Sequence, residues 1–261
     1  MSIKLLNKTL ISFGLIFSII LLLLSGCATT KKSKAEDYGY RISDERIEIR
    51  NLIQDKKLKE ARNRIAEILE ENKDVQPAPF VKDSILHYFA DNSVATLAYM
   101  LQSVSMMLPP KDSSSNYNEN KQNLNWKQSV VIDPIVPHCY FDLAYIDIEE
   151  NMILDAIENL KKAIYYWPDY MEAYAELAYI HIGMLDFKKA HEVIDSALAK
   201  PNGYLFPIGL SMVYRRLGYM EIEEGKLDDA EAHFEKSLKL FDHPAARHEL
   251  EYIEKIRKKL N

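Results

Sequence analysis

An internal repeat constrains this chain more than any other feature of its sequence. The hexapeptide Leu-Ala-Tyr-Ile-Asp-Ile at 143–148 recurs as Leu-Ala-Tyr-Ile-His-Ile at 177–182, which begins 34 residues later. A third copy, Leu-Gly-Tyr-Met-Glu-Ile at 217–222, begins a further 40 residues on. Self-similarity at a period of this size is typical of proteins built from stacked supersecondary units. We therefore expect the body of the chain to be an array of similar units.

Each copy is followed by a second segment with helical periodicity. Its small and apolar residues are spaced by four and three, which places them on one face of a helix. The three sets are Ala156, Leu160 and Ala163; Ala190, Ile194 and Ala197; and Ala230, Phe234 and Ser237. Pro168, Pro201 and Pro244 follow these sets, and proline cannot continue a helix. The unit is therefore predicted to be a pair of helices joined by a turn.

The composition favours helix and excludes several functional classes. The 261 residues include only 8 glycines, and a chain that avoids glycine is poor in tight turns and favours helix. The formal net charge of −6 argues against a nucleic-acid partner, because neutralising phosphates requires a basic surface. Two cysteines are too few for a disulfide scaffold. We expect an all-α fold.

The period and the residue pattern together resemble the tetratricopeptide repeat (TPR) family. Counted from repeat starts at 137, 171 and 211, the large residue at position 4 and the Leu-small pair at positions 7 and 8 are both present. They are Tyr140, Leu143 and Ala144; Tyr174, Leu177 and Ala178; and Tyr214, Leu217 and Gly218. The resemblance implies a right-handed TPR α-solenoid of antiparallel helix pairs, with repeats at 137–170, 171–204 and 211–244.

The sequence departs from the family pattern at two positions of the repeat. Position 11 is usually Tyr, and here it is Asp147, His181 and Glu221. Ser237 replaces the usual Ala at position 27. The third repeat also begins six residues late, so that 205–210 is either an insertion or a lengthened first helix.

The segments on either side of the three repeats are also predicted to be helical. Residues 245–261 read as an amphipathic capping helix, and residues 42–136 as degenerate helical repeats with a loop at 109–123. Within the latter, 43–54 and 57–72 form a candidate pair, with Ala61, Ile65 and Ile68 on one face. Segment 92–108 and a segment around 126–134 form a second candidate pair. Residues 77–91 are expected to add a helix, with pairing of 79–90 and 92–108 as the alternative.

The TPR resemblance also implies a groove lined by the first helix of each repeat. Position 9 is Tyr in all three repeats, and position 12, one helical turn away, is Ile in all three. The candidate partner-binding residues are Phe141, Tyr145, Ile148, Tyr179, Ile182, Arg215, Tyr219 and Ile222. Tyrosine and arginine are frequent in binding hot spots, so we expect a peptide with apolar side chains to bind here.

Two alternatives to partner binding remain open for this groove. The regular tyrosines could instead pack against the next repeat, or the chain's own segment 28–56 could fill the groove. The acids Glu149, Glu172 and Glu223 indicate tolerance for basic or neutral ligands, with simple solvation of these charges on the helix surface as the alternative.

The first 27 residues are predicted to be a targeting signal. Lys4 and Lys8 precede an apolar run over 10–24, and small residues follow it. Leu24-Ser25-Gly26-Cys27 resembles the bacterial lipobox, which implies a signal peptide at 1–26 and a lipid on Cys27. An uncleaved anchor helix is the alternative, although the uncharged stretch over 9–26 is shorter than the ~20 residues of a spanning helix. Residues 27–41 read as a flexible tether, and Ala28 after the cysteine favours the outer membrane, facing the periplasm.

We expect no enzymatic activity, cofactor or metal. His181 and His191, and likewise His243 and His248, lack the spacing of a zinc site, and no phosphate loop or nucleophile motif is present. Anchor and repeats together resemble lipoprotein scaffolds that assist assembly of type IV pili or secretins. They are equally similar to adaptors for periplasmic proteases or cell-wall enzymes, for which a homodimer is one expectation. A lipoprotein that binds a glycan or another small ligand is the third hypothesis.

Overall fold

The computed structural model describes residues 43–82, 85–99 and 128–260, and helix dominates these ranges, in agreement with the expected all-α class. The first helices in the described ranges are α1 (Asp44–Gln54) and α2 (Leu58–Glu71). After an insertion follow α3 (Ile135–Glu149), α4 (Ile153–Tyr166), α5 (Met171–Gly183), α6 (Phe187–Leu198), α7 (Pro207–Glu223), α8 (Leu227–Leu240) and α9 (Pro244–Leu260). Short turns join α1 to α2, α3 to α4, α5 to α6, and α7 to α8, so that the helices form four hairpins.

The four hairpins share one turn geometry. Each turn has one residue with positive φ at the same place, and these are Lys56, Asn151, Leu185 and Gly225, with φ of 58°, 61°, 59° and 77°. The next residue donates its backbone N–H to the carbonyl five residues earlier, at 2.8 Å in Lys57–Leu52 and 2.7 Å in Met152–Asp147. The corresponding distances are 2.9 Å in Asp186–His181 and 2.8 Å in Lys226–Glu221. This is the bonding of a Schellman helix end, and its repetition places α1–α2 in register with the three later hairpins.

Small residues let the two helices of a hairpin approach closely. Ala61, Ala156, Ala190 and Ala230 occupy the same place in the four second helices, and all are fully buried. In the last hairpin a Cβ on Gly218 would lie 2.9 Å from the Phe234 ring, so a larger residue would have to displace that ring. Ser237 donates its hydroxyl to the Ser211 carbonyl at 2.9 Å, which satisfies the polar group that replaces the usual alanine.

The acids at position 11, Asp147 and Glu221, are buried, and each has a polar partner on another helix. Asp147 is 1% exposed, accepts a hydrogen bond from Arg62 of α2 at 2.6 Å and accepts another from Asn159 at 2.7 Å. Glu221 lies 2.8 Å from His233 Nδ1 on the second helix of its own hairpin. Both acids therefore have hydrogen-bonding partners in the interior, and their contacts hold neighbouring helices together.

The insertion between α2 and α3 contains a small sheet. Its strands are β1 (Phe80–Lys82), β2 (Ile85–Phe89) and β3 (Gln128–Ile132), in the order β1-β2-β3. Strands β1 and β2 are antiparallel, with Val81 opposite Leu86, whereas β2 and β3 are parallel, with Phe89 opposite Ile132. Residues 93–99 are helical.

The sheet corrects two predictions for the segment 42–136. The helix expected over 77–91 is wrong because 80–82 and 85–89 are strands, and the helix expected around 126–134 is wrong because 128–132 is a strand. The sequence of β3, Gln-Ser-Val-Val-Ile, is rich in β-branched residues, whose local preference for strand outweighs the repeat phase. The helix pair predicted over 43–72 is confirmed by α1 and α2. The loop predicted at 109–123 lies outside the described residues.

The insertion packs against the connections between hairpins. The Tyr99 hydroxyl donates to Asp169 at 2.8 Å, between α4 and α5, and the Asn92 amide donates to the Leu205 carbonyl at 3.3 Å, between α6 and α7. Leu86, Phe89 and Trp167 belong to the main hydrophobic core. The insertion is therefore part of the folded body.

The C-terminal part of the chain resolves one alternative and agrees with the predicted cap. Helix α7 begins at Pro207 and has 17 residues against 13 in α5, so 207–210 lengthen the first helix of the third repeat, whereas Leu205 and Phe206 belong to the connection before it, which contains a 3-10 turn at Gly203–Leu205. Helix α9 packs Ala246 and Ile253 onto Ala230 and Phe234, as a capping helix would. Among the described residues no helix is long and apolar enough to cross a bilayer. The predicted signal peptide, Cys27 and the tether lie outside these residues.

Candidate partner-binding face

The first helices of the hairpins place the predicted groove residues at equivalent positions. We call the side chains of these residues the first-helix face, and its members are Phe141, Tyr145, Ile148, Tyr179, Ile182, Arg215, Tyr219 and Ile222. Tyr179 and Ile182 are buried, at 8% and 4% exposure, and the other six are partly buried. The middle of the face is thus more enclosed than the sequence predicted.

Tyr179 is enclosed because the next hairpin covers its ring. The Arg216 guanidinium carbon lies 4.0 Å from the centroid of the Tyr179 ring, an arrangement that stabilises the cation over the π face. Arg216 also donates to Glu176 at 2.9 Å. The alternative that the tyrosines pack between repeats therefore describes Tyr179, whereas Tyr145 and Tyr219 retain partial exposure.

The N-terminal hairpin contributes to the same face. Lys56, in the turn after α1, lies 2.6 Å from Glu149, whose second oxygen accepts from the Tyr145 hydroxyl at 3.0 Å. Burial, followed by the charge of Glu149, raises the pKa of Tyr145, so this tyrosine stays a neutral donor. Glu149 therefore presents no uncompensated negative charge to a ligand.

The two other acids expected to face the ligand differ from each other. Glu172 lies at the start of α5 against α7, where a Cβ on Gly209 would come within 2.5 Å of its carboxylate oxygen. Burial, followed by the nearby charge of Asp91, raises the pKa of Glu172 to about 7. Glu223 is exposed at the end of α7. Only Glu223 of these three is an exposed acid without an ion-pair partner among the described residues.

A buried ionic cluster joins α1, the insertion and two first helices, and sequence reasoning missed it. Arg46 of α1 donates to the Tyr170 hydroxyl at 3.0 Å, and its Nε lies 3.5 Å from Asp142 of α3. His138 Nε2 lies 3.9 Å from Asp91 of the insertion. Burial raises the pKa of Asp91 to about 6, against the opposing effect of the Arg46 charge. These groups come from segments far apart in the chain, so no local pattern could have indicated the cluster.

The remaining candidate groups offer little reactive chemistry. Cys139 is fully buried, and burial raises the pKa of its thiol to about 12, so it stays protonated. Within the described ranges no group of three or more His, Cys, Asp or Glu residues is arranged to hold a metal ion.

Comparison with known proteins adds no relative. No protein-family model matches the chain, and no curated protein matches it.

Proposed function

We propose that this protein is a lipid-anchored scaffold or adaptor of the TPR type, without catalytic activity of its own, which binds protein partners in the bacterial cell envelope. The observation that carries the proposal is the common register of the four hairpins, which places equivalent first-helix residues in series. A surface built from several equivalent helices is extended, and such surfaces suit elongated partner segments.

The chemistry of the first-helix face supports a protein partner. Tyr145 and Tyr219 are partly exposed aromatic side chains with a polar end, and partly buried Arg215 lies one helical turn before Tyr219 in α7. Residues of these types bury large areas and still form hydrogen bonds, which is why they dominate binding hot spots. The lipid anchor of the proposal rests on Leu24-Ser25-Gly26-Cys27 alone.

Burial in the structure also determines which substitution can test partner binding through the first-helix face. Truncation of Tyr179 would open the interior beneath Arg216, so a loss of binding could not be separated from a loss of structure. Glu223→Lys is a better probe, because Glu223 is exposed on the first helix of the last hairpin. Glu235→Lys is its matched control, since Glu235 is exposed on the second helix of the same hairpin and the charge change is identical.

The test is a crosslinking pull-down of the full-length protein from its own cells, with both variants beside the wild type. We expect Glu223→Lys to reduce partner recovery about tenfold, the effect of ~1.4 kcal/mol, and Glu235→Lys to leave it unchanged. One dominant envelope complex would identify an assembly factor, and several soluble enzymes an adaptor. Equal recovery from both variants, or no protein recovered, would contradict binding through this face.

The anchor is tested separately with Cys27→Ala. The wild type should sediment with membranes and incorporate labelled fatty acid, whereas the variant should lose the label. A variant that keeps the label would refute lipidation at Cys27 and leave the partner-binding proposal intact.

A further inference from the structure

Three tyrosines occupy equivalent positions near the start of the first helices α3, α5 and α7, and each has a lysine ammonium group 5.6 to 5.7 Å from its ring centroid. The pairs are Tyr140 with Lys162, Tyr174 with Lys200, and Tyr214 with Lys236. A cation near an aromatic face is a stabilising arrangement. The three hairpins therefore repeat one local contact between a tyrosine and a cation.

Two of these tyrosines are also covered by a stacked ring from a second helix. Tyr166 of α4 lies on Tyr140, with the ring centroids 5.5 Å apart and the planes inclined by 14°. His233 of α8 lies on Tyr214, with the centroids 5.8 Å apart and the planes inclined by 12°. In the part of the chain that the structure describes, no aromatic ring stacks on Tyr174. The middle hairpin thus lacks a contact that the hairpins on both sides of it form.

The sequence explains the missing ring. In the middle hairpin the counterparts of His233 and Tyr166 are Val193 and Lys200, neither of which is aromatic. A cleft with a volume of about 390 Å³ lies at this place, and both residues line it together with Tyr174. Clefts of this size accommodate small-molecule ligands.

The cleft combines apolar walls with an excess of positive charge. Ile164 and Leu177 supply apolar surface. Lys161 and Lys200 supply two ammonium groups, and neither of them forms an ion pair among the described residues. Glu192 supplies one exposed carboxylate, so two positive charges face a single negative one. An anion with an apolar body matches these walls better than a cation does.

We propose that this cleft binds a small aromatic carboxylate, whose ring stacks on Tyr174 as Tyr166 and His233 stack on the equivalent tyrosines. Lys161 and Lys200 bind the carboxylate through charge-assisted hydrogen bonds. Tyr174 is 5% exposed, and the partly exposed Lys200 side chain moves from the tyrosine ring to the ligand carboxylate to admit the ligand ring. No residue of the cleft belongs to the first-helix face, so this inference does not rest on the proposed partner binding.

The experiment measures binding of phenylpropionate to the full-length chain in detergent by isothermal titration calorimetry, with a protein-free detergent blank. Two compounds of the same skeleton are the control ligands. Cyclohexylpropionate keeps the carboxylate but has no aromatic ring to stack, so it should bind at least about threefold more weakly. Phenylpropionamide keeps the ring but carries no charge, so it should bind about fivefold more weakly.

Substitutions test the ring contact and the charge contact separately. Lys200→Tyr gives the middle hairpin the ring that Tyr166 supplies in the first, so the chain itself should fill the cleft and phenylpropionate should bind at least about tenfold more weakly. Lys161→Gln should weaken phenylpropionate about threefold and leave phenylpropionamide unchanged. Lys188→Gln, at an exposed lysine of α6 outside the cleft, should change neither affinity.

Three outcomes would overturn the inference: no binding of phenylpropionate, equal binding of all three compounds, or equal affinity of the wild type and Lys200→Tyr. Because Lys161 is exposed, a loss of fold could not reproduce an effect of Lys161→Gln on the carboxylate alone. Equal weakening of the acid and the amide by Lys161→Gln would also contradict the charge contact. Failure of this site would leave the scaffold proposal intact, since the pull-down probes the first-helix face.

Discussion

Gly225 ends the turn between α7 and α8 with a φ of 77°, a region that side-chain-bearing residues rarely adopt. Apart from Gly225 and its two neighbours in the chain, no atom lies within 4 Å of the place where a Cβ would be, so a substitution here meets no steric obstacle. Gly225→Ala therefore isolates the backbone strain of the turn that all four hairpins share.

The magnitude follows from two opposing contributions. The left-handed conformation costs an L-residue about 1–2 kcal/mol. Alanine also restricts the unfolded chain more than glycine does, which returns about 0.4–1 kcal/mol. We expect Gly225→Ala to lower the free energy of unfolding by about 1 kcal/mol, which corresponds to about 2–4 °C in Tm for a chain of this size.

The assay is urea unfolding of the full-length chain in detergent, followed by far-UV circular dichroism. Gly225→Asn is the control, because asparagine tolerates the left-handed region, as Asn151 does in the equivalent turn. It should cost at most a few tenths of a kcal/mol. An alanine variant as stable as the wild type, or an asparagine variant that loses as much stability as the alanine variant, would show that the positive φ of Gly225 does not set the stability of this turn.

Three further predictions concern the interior. Phe234→Ala removes a side chain that is 1% exposed and packs on Gly218, and it should lower the free energy of unfolding in urea by about 3–5 kcal/mol. The control Glu235→Ala changes an exposed residue and should lower it by no more than a few tenths of a kcal/mol. Arg62→Ala leaves buried Asp147 with one fewer donor and should cost about 2 kcal/mol. Arg64→Ala breaks only surface pairs and should cost clearly less, and equal losses would contradict the buried pair. The pKa values of Asp91 and Glu172 are raised to about 6 and about 7, so between about pH 4 and 7 the folded chain binds more protons than the unfolded chain. The contribution of these two acids to the free energy of unfolding should therefore be largest below about pH 4 and be lost as the pH rises through 6 to 7. Glu172→Gln should flatten that part of the stability profile, and an unchanged profile would refute the buried-acid interpretation.

The helical hairpins could be predicted because their signals are local. The spacing of Ala190, Ile194 and Ala197 defines one face of α6 within three turns of chain, and all three residues are buried as the pattern requires. The same reasoning predicted α1 and α2 from Ala61, Ile65 and Ile68. It failed at β2 and β3, because a strand is stabilised by its partner strand, and these two strands lie about 40 residues apart in the chain.

The site could be predicted only in part, for the same physical reason. The repeat register placed Tyr145, Tyr179 and Tyr219 at equivalent positions of successive first helices. It could not indicate that Arg216 covers Tyr179, since that contact depends on how adjacent hairpins stack.

The sequence by itself determined the helical class, the hairpin unit and its register, because helix periodicity and turn conformation are properties of neighbouring residues. Only the tertiary structure decided which charges are compensated. Asp147 obtains Arg62 from another hairpin, and Glu149 obtains Lys56 in the same way, whereas Arg215 obtains no carboxylate among the described residues. Electrostatic compensation depends on distance in space, and residues that are far apart in the chain set that distance.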